Sequence, residues 1–272
     1  MVHQEPSNKQ AKRLERDIRR PSASGLMLLA VDIGNTSTKF GIFKGEELVS
    51  RFSTPTTTDH KLILENVGTR LAEVTAAIVC SVVPDASAAL LEFFSQKQID
   101  AGLASNDLDF GLSINYTPLS SLGTDRLVNA LAAAQKYQSP ILVCSFGTAT
   151  TIDVIDEDGV FLGGMISPGL KTAARALSLN TSQLPEVAIS KPDTLIGTST
   201  QSAILSGIVF GHVGMFEGLV NRVVVELGKK PSIIATGGYA SLMKEMTNII
   251  DCVDMDLTLR GLQILHSRAA QM

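Results

Sequence analysis

Short apolar runs that stop at a polar residue, turn on glycine and come back recur along this chain. Leu26-Met27-Leu28-Leu29-Ala30-Val31 stops at Asp32, Gly34-Asn35-Thr36 follows, and Thr38-Lys39-Phe40-Gly41-Ile42-Phe43 returns, a pattern that predicts a β-hairpin. The shape comes again 113 residues later, where Ile141-Leu142-Val143-Cys144 stops at Ser145, Gly147-Thr148-Ala149 turns, and Thr151-Ile152-Asp153-Val154-Ile155 returns. Superposing the two sets Asp32 on Ser145, Gly34 on Gly147, Asn35 on Thr148 and Thr38 on Thr151. A repeat this long is unlike the short period of a solenoid. It predicts a duplicated domain, two similar lobes whose glycine turns face each other across a cleft.

Between the hairpins the apolar spacing predicts a helix around Lys61 to Glu73, a strand from Ala76 to Val83 and a helix from Pro84 to Gln96, which is α/β order. Past the second hairpin the expected elements are a bend at Gly163-Gly164, a helix from Leu170 and a long helical region from Thr200 to Leu227 interrupted by glycines. A strand at Ile233 to Ala235, a turn at Gly237-Gly238, a helix at Ala240 to Met246, a strand at Ile249 to Val253 and a helix at Leu257 to Arg268 complete the series. The expected organisation is a basic tail over residues 1–25, a first lobe over 26–138 and a second over 139–272. Lys9, Lys12, Arg13, Arg16, Arg19 and Arg20 dominate that tail, and its polar composition predicts disorder. Arg19-Arg20 ahead of an apolar run has the look of an export signal, but Asp32 arrives too early for its apolar core.

Composition narrows the partners. Hydrophobic residues make up 44% of the 272, charged residues 18%, and the formal charge is -4, values of a globular chain with no field to recruit nucleic acid or anionic membrane. No run of about 18 apolar residues occurs, so no membrane span is expected. Cys80, Cys144 and Cys252 form no CxxC and sit in apolar runs, as expected of buried strands in a reducing, cytoplasmic compartment. His3, His60, His212 and His266 make no ligand pair, so any metal is expected to arrive with a nucleotide.

Both glycine turns offer backbone N–H groups and hydroxyls to anionic oxygens, although neither is a Walker A motif or a GxGxxG. Taken singly, each is equally an ordinary hairpin turn; taken together, they point to a polyphosphate. Asp32 either holds a hydrated Mg2+ whose other ligands are phosphate oxygens or simply closes a strand. Lys39 adds positive charge. Gly123-Thr124-Asp125-Arg126 opens a helical stretch, where Asp125 is either a first-turn residue kept at low pKa by the helix dipole or the acceptor of a proton from an attacking hydroxyl. Arg126 is either a solvated surface residue or a fork for a carboxylate or phosphoryl group. Gly-spaced residues Ala203 to Phe216 read as core or as a subunit interface.

Asp32-Ile33-Gly34-Asn35-Thr36, Gly123-Thr124-Asp125-Arg126 and Gly147-Thr148-Ala149-Thr150-Thr151, in this order and spacing, resemble the motifs of type III pantothenate kinases. The resemblance continues through Ser81-Val82-Val83-Pro84, Gly163-Gly164, Gly197 to Gly207, Thr236-Gly237-Gly238 and Leu257 to Leu262, and so runs from about Met27 to His266. It implies an α/β fold of two duplicated actin-like, ribonuclease H-like lobes around a nucleotide cleft, as in the acetate and sugar kinase, Hsp70 and actin superfamily. It also implies ATP-dependent phosphorylation of pantothenate, the first step of coenzyme A biosynthesis, with Mg2+ and a homodimeric enzyme. By the same resemblance Asp32, Ile33, Gly34, Asn35, Thr36, Ser37, Thr38 and Lys39 form a phosphate-binding segment, Thr148 contacts ATP, and Asp125 is the catalytic base. Gly123, Thr124, Asp125 and Arg126 hold pantothenate, with Tyr116 and Thr200 touching it.

One position departs from the family. Its members carry Asp where this chain has Ser145, and that Asp binds an activating monovalent cation, K+ or NH4+. A hydroxyl coordinates potassium without supplying charge. Two further readings therefore stand beside the kinase: a nucleotide-binding accessory or regulatory protein of the same family without activity, and another actin-like phosphotransferase or polyphosphate hydrolase, because the phosphate turns specify the donor better than the acceptor.

Overall fold

The computed structural model describes residues 27–271; the expected tail, residues 1–25, lies outside the described residues. Contacts divide the chain into two compact units, one running through Leu112 and taking in Thr117–Ala132 and the segment from Leu257 on, the other made of Ser113–Tyr116 and Ala133–Asp256. The sequence expectation cut the chain once, at 138/139, and gave the terminal helix to the second lobe. Contacts group that helix with the first unit instead.

In the first unit, strands β1 (Met27–Ile33), β2 (Ser37–Lys44) and β3 (Glu47–Pro55) form an antiparallel meander, and β4 (Val74–Ser81) and β5 (Asp100–Leu103) extend it in parallel on the β1 side, giving the order β3-β2-β1-β4-β5. Helices α1 (His60–Val67) and α2 (Pro84–Gln96) cover one face. Ile63, Val67, Leu90, Phe93 and Phe94 meet Leu29, Val31, Ile33, Phe40, Ala77 and Val79 there in one buried cluster. Helix α3 (Thr124–Lys136) begins in this unit, and α7 (Leu257–Gln271) lies over the opposite face, where Leu259 sits against Gly41. Burial on both faces explains why β1 reads as a continuous apolar run rather than an alternating one.

The second unit repeats the plan. Here β7 (Ile141–Phe146), β8 (Ala149–Ile155) and β9 (Val160–Pro168) form the meander, and β10 (Ser232–Thr236) and β11 (Cys252–Val253) add in parallel beside β7; β6 (Ser113–Ile114) joins the far edge of β9. Helices α4 (Leu170–Asn180), α5 (Thr200–Leu227) and α6 (Ala240–Met246) follow. Removing β6 leaves the same order, β9-β8-β7-β10-β11, so the duplication extends to every sheet position.

Equivalent hydrogen bonds recur as well. Val82 N–H donates to Ile33 O at 3.1 Å and Tyr239 N–H to Phe146 O at 3.1 Å, while Ala104 N–H donates to Val79 O at 2.7 Å and Asp254 N–H to Ala235 O at 2.8 Å. The register corrects one detail of the superposition. Ile33 pairs with Thr38 but Phe146 pairs with Thr150, so the second turn is one residue shorter and Thr38 corresponds to Thr150, not to Thr151.

Two further expectations change. Gly163 and Gly164 lie inside β9 rather than at a bend, because a side chain at 164 would run into the Ile152 carbonyl oxygen of the neighbouring strand. Helix α5 is continuous through its glycines, and Ile204, Val209, Val213, Phe216, Val220 and Val223 form its buried stripe. By length and composition alone it would also pass for a membrane-crossing helix, with a mean hydropathy of 1.6 over 18 residues. Its i, i+4 stripe packs into the core of the second unit, as a core helix does.

Candidate functional site

In the first unit the chemistry gathers where β1 and β4 end. Asp32 is flanked by Lys39 across the antiparallel pair and by Cys80 across the parallel pair, and Lys39 Nζ stands 3.7 Å from its Oδ2. Burial pushes the Asp32 carboxyl above its ordinary 3.8, Lys39 pulls it back, and the Asp125 charge pushes it up again. Burial also pushes the Cys80 thiol up, with Asp32 and Asp125 adding to the effect. Asp32, Lys39, Cys80 and Asp125 therefore share one electrostatic neighbourhood, although 93 residues separate Asp32 from Asp125.

The turn beyond β1 is held from inside. Gly34 N–H donates to Ser37 O at 3.0 Å, and Thr56 Oγ1 donates to Gly34 O at 2.6 Å while lying 3.2 Å from Thr38 Oγ1. Of the expected phosphate-binding residues, Ile33 belongs to the core and Thr38 is 6% exposed. Both serve under the turn, and Asn35 and Thr36 present its open surface. Sequence reading missed Thr56, which no motif marks.

Asp125 sits in the first turn of α3, and its carboxylate accepts hydrogen bonds from its own backbone N–H and that of Arg126. Those bonds and the Arg126 charge lower its pKa, but burial outweighs them and the carboxyl ends above 3.8. This corrects the expectation of a low-pKa capping residue, since desolvation is a larger effect than the first-turn dipole. Gly123 lies directly beneath: a Cβ there would be 2.5 Å from Asp125 Oδ1. Arg126 is 5% exposed, which discards the solvated-surface reading.

In the second unit Gly147 N–H donates to Ala149 O at 3.0 Å, the counterpart of the first turn. Thr148 and Ala149 are exposed. The Thr148 carbonyl accepts from Gly169 N–H at 3.0 Å and from Thr172 Oγ1 at 2.6 Å, and Thr150 Oγ1 lies 2.9 Å from His212 Nε2 on α5. Burial holds the His212 imidazole below its ordinary 6.5, favouring the neutral ring. Thr172 and His212 are two further supports that motif reading did not find. Gly237, at φ 93°, brings the next strand end against the Phe146 backbone, where a Cβ would lie 2.6 Å from its carbonyl oxygen; only glycine combines that φ with so close an approach.

Ser145 pairs in register with Thr151 on one side and Thr236 on the other, so three hydroxyl side chains share one face of the sheet. Thr236 is 2% exposed, and its Oγ1 is buried with no hydrogen-bond partner. Tyr116 lies over β9, its ring centroid 6.4 Å from that of Phe161 and its edge against Gly163. Thr200 is exposed at the start of α5, behind a capping box of Ser199 and Ser202. The structure thus gathers Asp32, Lys39, Asp125 and Arg126 in one unit and keeps Tyr116, Ser145, Thr148 and Thr200 in the other.

Among the described residues no cluster of three or more His, Cys, Asp or Glu could cage a metal. Asp32 and Asp125 are half-buried carboxyls whose pKa burial raises, and such oxygens could help hold a hard dication bound mostly through water and phosphate oxygens.

The sequence profile described as type III pantothenate kinase matches residues 28–222. Proteins named type III pantothenate kinase from Dehalococcoides mccartyi strain 195 and from Rhodospirillum rubrum are 39% and 40% identical to this chain, covering 88% and 89% of it and 96% and 98% of their own lengths. Among solved structures, a Campylobacter jejuni protein described as a conserved Baf family transcriptional activator superposes with TM-score 0.59 at 19% identity, over 90% of this chain and all of that one. Component A of (R)-2-hydroxyglutaryl-CoA dehydratase from Acidaminococcus fermentans superposes with TM-score 0.50 at 14% identity, over 90% and 99%. At these identities the structures speak for fold alone, and that fold is the actin-like one.

Proposed function

The chain belongs to the type III pantothenate kinase family, and from that premise we propose that it transfers the γ-phosphoryl group of ATP to the hydroxyl of pantothenate, opening coenzyme A biosynthesis. The observation that carries the reading is the grouping of Asp125 with Asp32 at the carboxyl ends of β1 and β4, where ligands bind in open α/β sheets. Asp125, the base in this reading, orients the hydroxyl and accepts its proton as the new O–P bond forms, the bond to the β-phosphate oxygen breaks and ADP leaves. Phosphoryl transfer demands orientation and charge stabilisation more than covalent chemistry.

Gly123, Thr124 and Arg126 hold the acceptor beside Asp125, and Tyr116 and Thr200 contact it. The turn from Gly34 to Ser37, with Asp32 and Lys39 at its base, and the turn bearing Thr148 bind the ATP phosphates through backbone N–H groups and hydroxyls. Asp32 would hold Mg2+, which would supply neutralisation of phosphate charge. The monovalent-cation position falls at Ser145, where neutral hydroxyls supply oxygen without charge. A cytoplasmic homodimer completes the reading. Gly207, Gly211, Gly214 and Gly218 form a ridge on the exposed side of α5 with open space above each Cα, beside Leu195 and Ile196 at 67% and 80% exposure.

The test is ADP release from ATP and Mg2+ with and without pantothenate, in potassium and in sodium, for the unmodified protein, Asp125→Asn and Ser145→Asp. Pantothenate-dependent release is expected in the unmodified protein, with little response to potassium until Ser145→Asp restores a charge. Release that ignores pantothenate, or an Asp125→Asn variant with unmodified turnover, would overturn the reading. Turnover appearing only in Ser145→Asp would favour the accessory protein.

A further inference from the structure

The segment between Leu119 and the catalytic turn has little secondary structure of its own: one 3-10 turn at Leu119–Ser121, then Leu122 and Gly123 before α3 starts. Besides its own short-range hydrogen bonds, a side chain from another part of the first unit ties it at three points. Asn106 follows β5, whose end is tied to the sheet where Ala104 N–H donates to Val79 O at 2.7 Å. From that footing Asn106 Nδ2 donates to Leu119 O at 3.0 Å and to Leu122 O at 2.6 Å, while its Oδ1 accepts from Thr124 Oγ1 at 2.7 Å. The two amide protons and the carbonyl oxygen of one asparagine thus bind three successive points on a stretch of six residues, and the last point adjoins Asp125.

We propose that Asn106 is a positioning residue for the acceptor substrate, holding the Leu119–Asp125 approach in the shape that seats the hydroxyl against Asp125. The proposal rests on the pantothenate kinase reading of the same site. Asparagine suits the task because it offers two donors and an acceptor in one rigid plane. Leucine carbonyls at 119 and 122 require donors, and the Thr124 hydroxyl requires an acceptor. Aspartate has the same shape but replaces the NH2 group by a second oxygen, which would face two carbonyl oxygens. Asn106→Asp therefore converts two attractive contacts into repulsive ones while leaving room and volume unchanged. Serine at 106 withdraws both long-reach donors without adding charge. Nothing in the arrangement touches the nucleotide turn at Gly34–Ser37.

The experiment has two arms on the full chain, using the unmodified protein, Asn106→Asp and Asn106→Ser. In the first, initial rates of ADP release are measured against pantothenate at saturating ATP, and against ATP at saturating pantothenate. A rise of about tenfold or more in the pantothenate KM is expected for Asn106→Asp, with a smaller rise for Asn106→Ser and an ATP KM within about twofold of the unmodified value, since losing part-buried pairings and setting oxygen against oxygen is worth about one decade in an equilibrium constant. Loss of folded protein alone would lower the maximal rate and leave both KM values in place. In the second arm, amide hydrogen exchange is followed without substrates, with faster exchange expected in the 117–124 peptides of the variants and unchanged exchange in the β1–β2 peptides. Unchanged pantothenate KM in both variants, or equal rises in both substrates' KM values, would overturn the proposal, as would unchanged exchange over 117–124. If the unmodified protein releases no ADP in response to pantothenate while the exchange result holds, the acceptor reading fails and the anchoring role of Asn106 stands.

Discussion

Gly123→Ala is the perturbation that isolates the chemistry most sharply. The backbone at 123 has no left-handed φ, so alanine fits it without backbone strain, and the added methyl would crowd the Asp125 carboxylate, with Oδ1 at 2.5 Å, while meeting Arg126 Cδ at an ordinary 3.7 Å. Ordinary van der Waals contact starts at 3.4 Å, so the carboxylate must retreat by about 0.9 Å or rotate out of place. A misplacement of about 1 Å costs on the order of 10²-fold in rate, which is about 2.7 kcal/mol of transition-state stabilisation. The fold should scarcely notice, since glycine-to-alanine changes at compatible positions are neutral or stabilising by roughly 0.4–1 kcal/mol. Steady-state ADP release should therefore show kcat down by about two decades, while the thermal midpoint stays level or rises slightly. Turnover within about twofold of the unmodified protein would refute the placement of Asp125 as the base, because so crowded a group could not then be the one that accepts the proton.

Two further outcomes follow from the geometry. The Asp32 and Asp125 carboxyls are both raised above their ordinary 3.8, so the folded protein holds protons that the unfolded chain has already released, and their contribution to stability is fully present below 3.8 and lost as pH rises through the raised values. Asp32→Asn should accordingly raise the thermal midpoint at pH 7 and lose that advantage as pH falls towards 4, whereas the acid limb of kcat/KM in the unmodified protein should lie above 3.8; a variant less stable than the unmodified protein at pH 7 would contradict this. Gly211→Leu adds a side chain to open space on α5 and should leave the protomer folded; sedimentation equilibrium should show it shifted from dimer to monomer, and an unmodified protein that sediments as a monomer would remove this face as an interface.

Much of the candidate site was legible because its motifs are local. A strand end, a glycine turn and a returning strand can be read from spacing alone, and the second copy at Ser145 could be found because duplication preserves that spacing. Asp125 was legible for the same reason, as the first turn of a strongly patterned helix. Thr56, Asn106, Thr172 and His212 were not, because each acts through hydrogen bonds to residues at least 13 positions away and nothing in its own neighbourhood marks it.

By itself the sequence determined where apolar runs begin and end, and hence most strands and helices, because burial on one or two faces imposes a period that composition displays. Tertiary structure decided the rest. Gly164 continues a strand because the neighbouring Ile152–Asp153 backbone comes too close for any side chain, and Gly163 does so beneath the Tyr116 ring. Helix α5 runs unbroken because its packed stripe outweighs the propensity cost of four glycines on the open side. The terminal helix joins the first unit because its apolar face packs on that unit's sheet, a pairing that no local pattern encodes. The Asp125 carboxyl rises rather than falls because desolvation depends on what surrounds it in space, and the helix dipole, which the sequence did reveal, is the smaller effect.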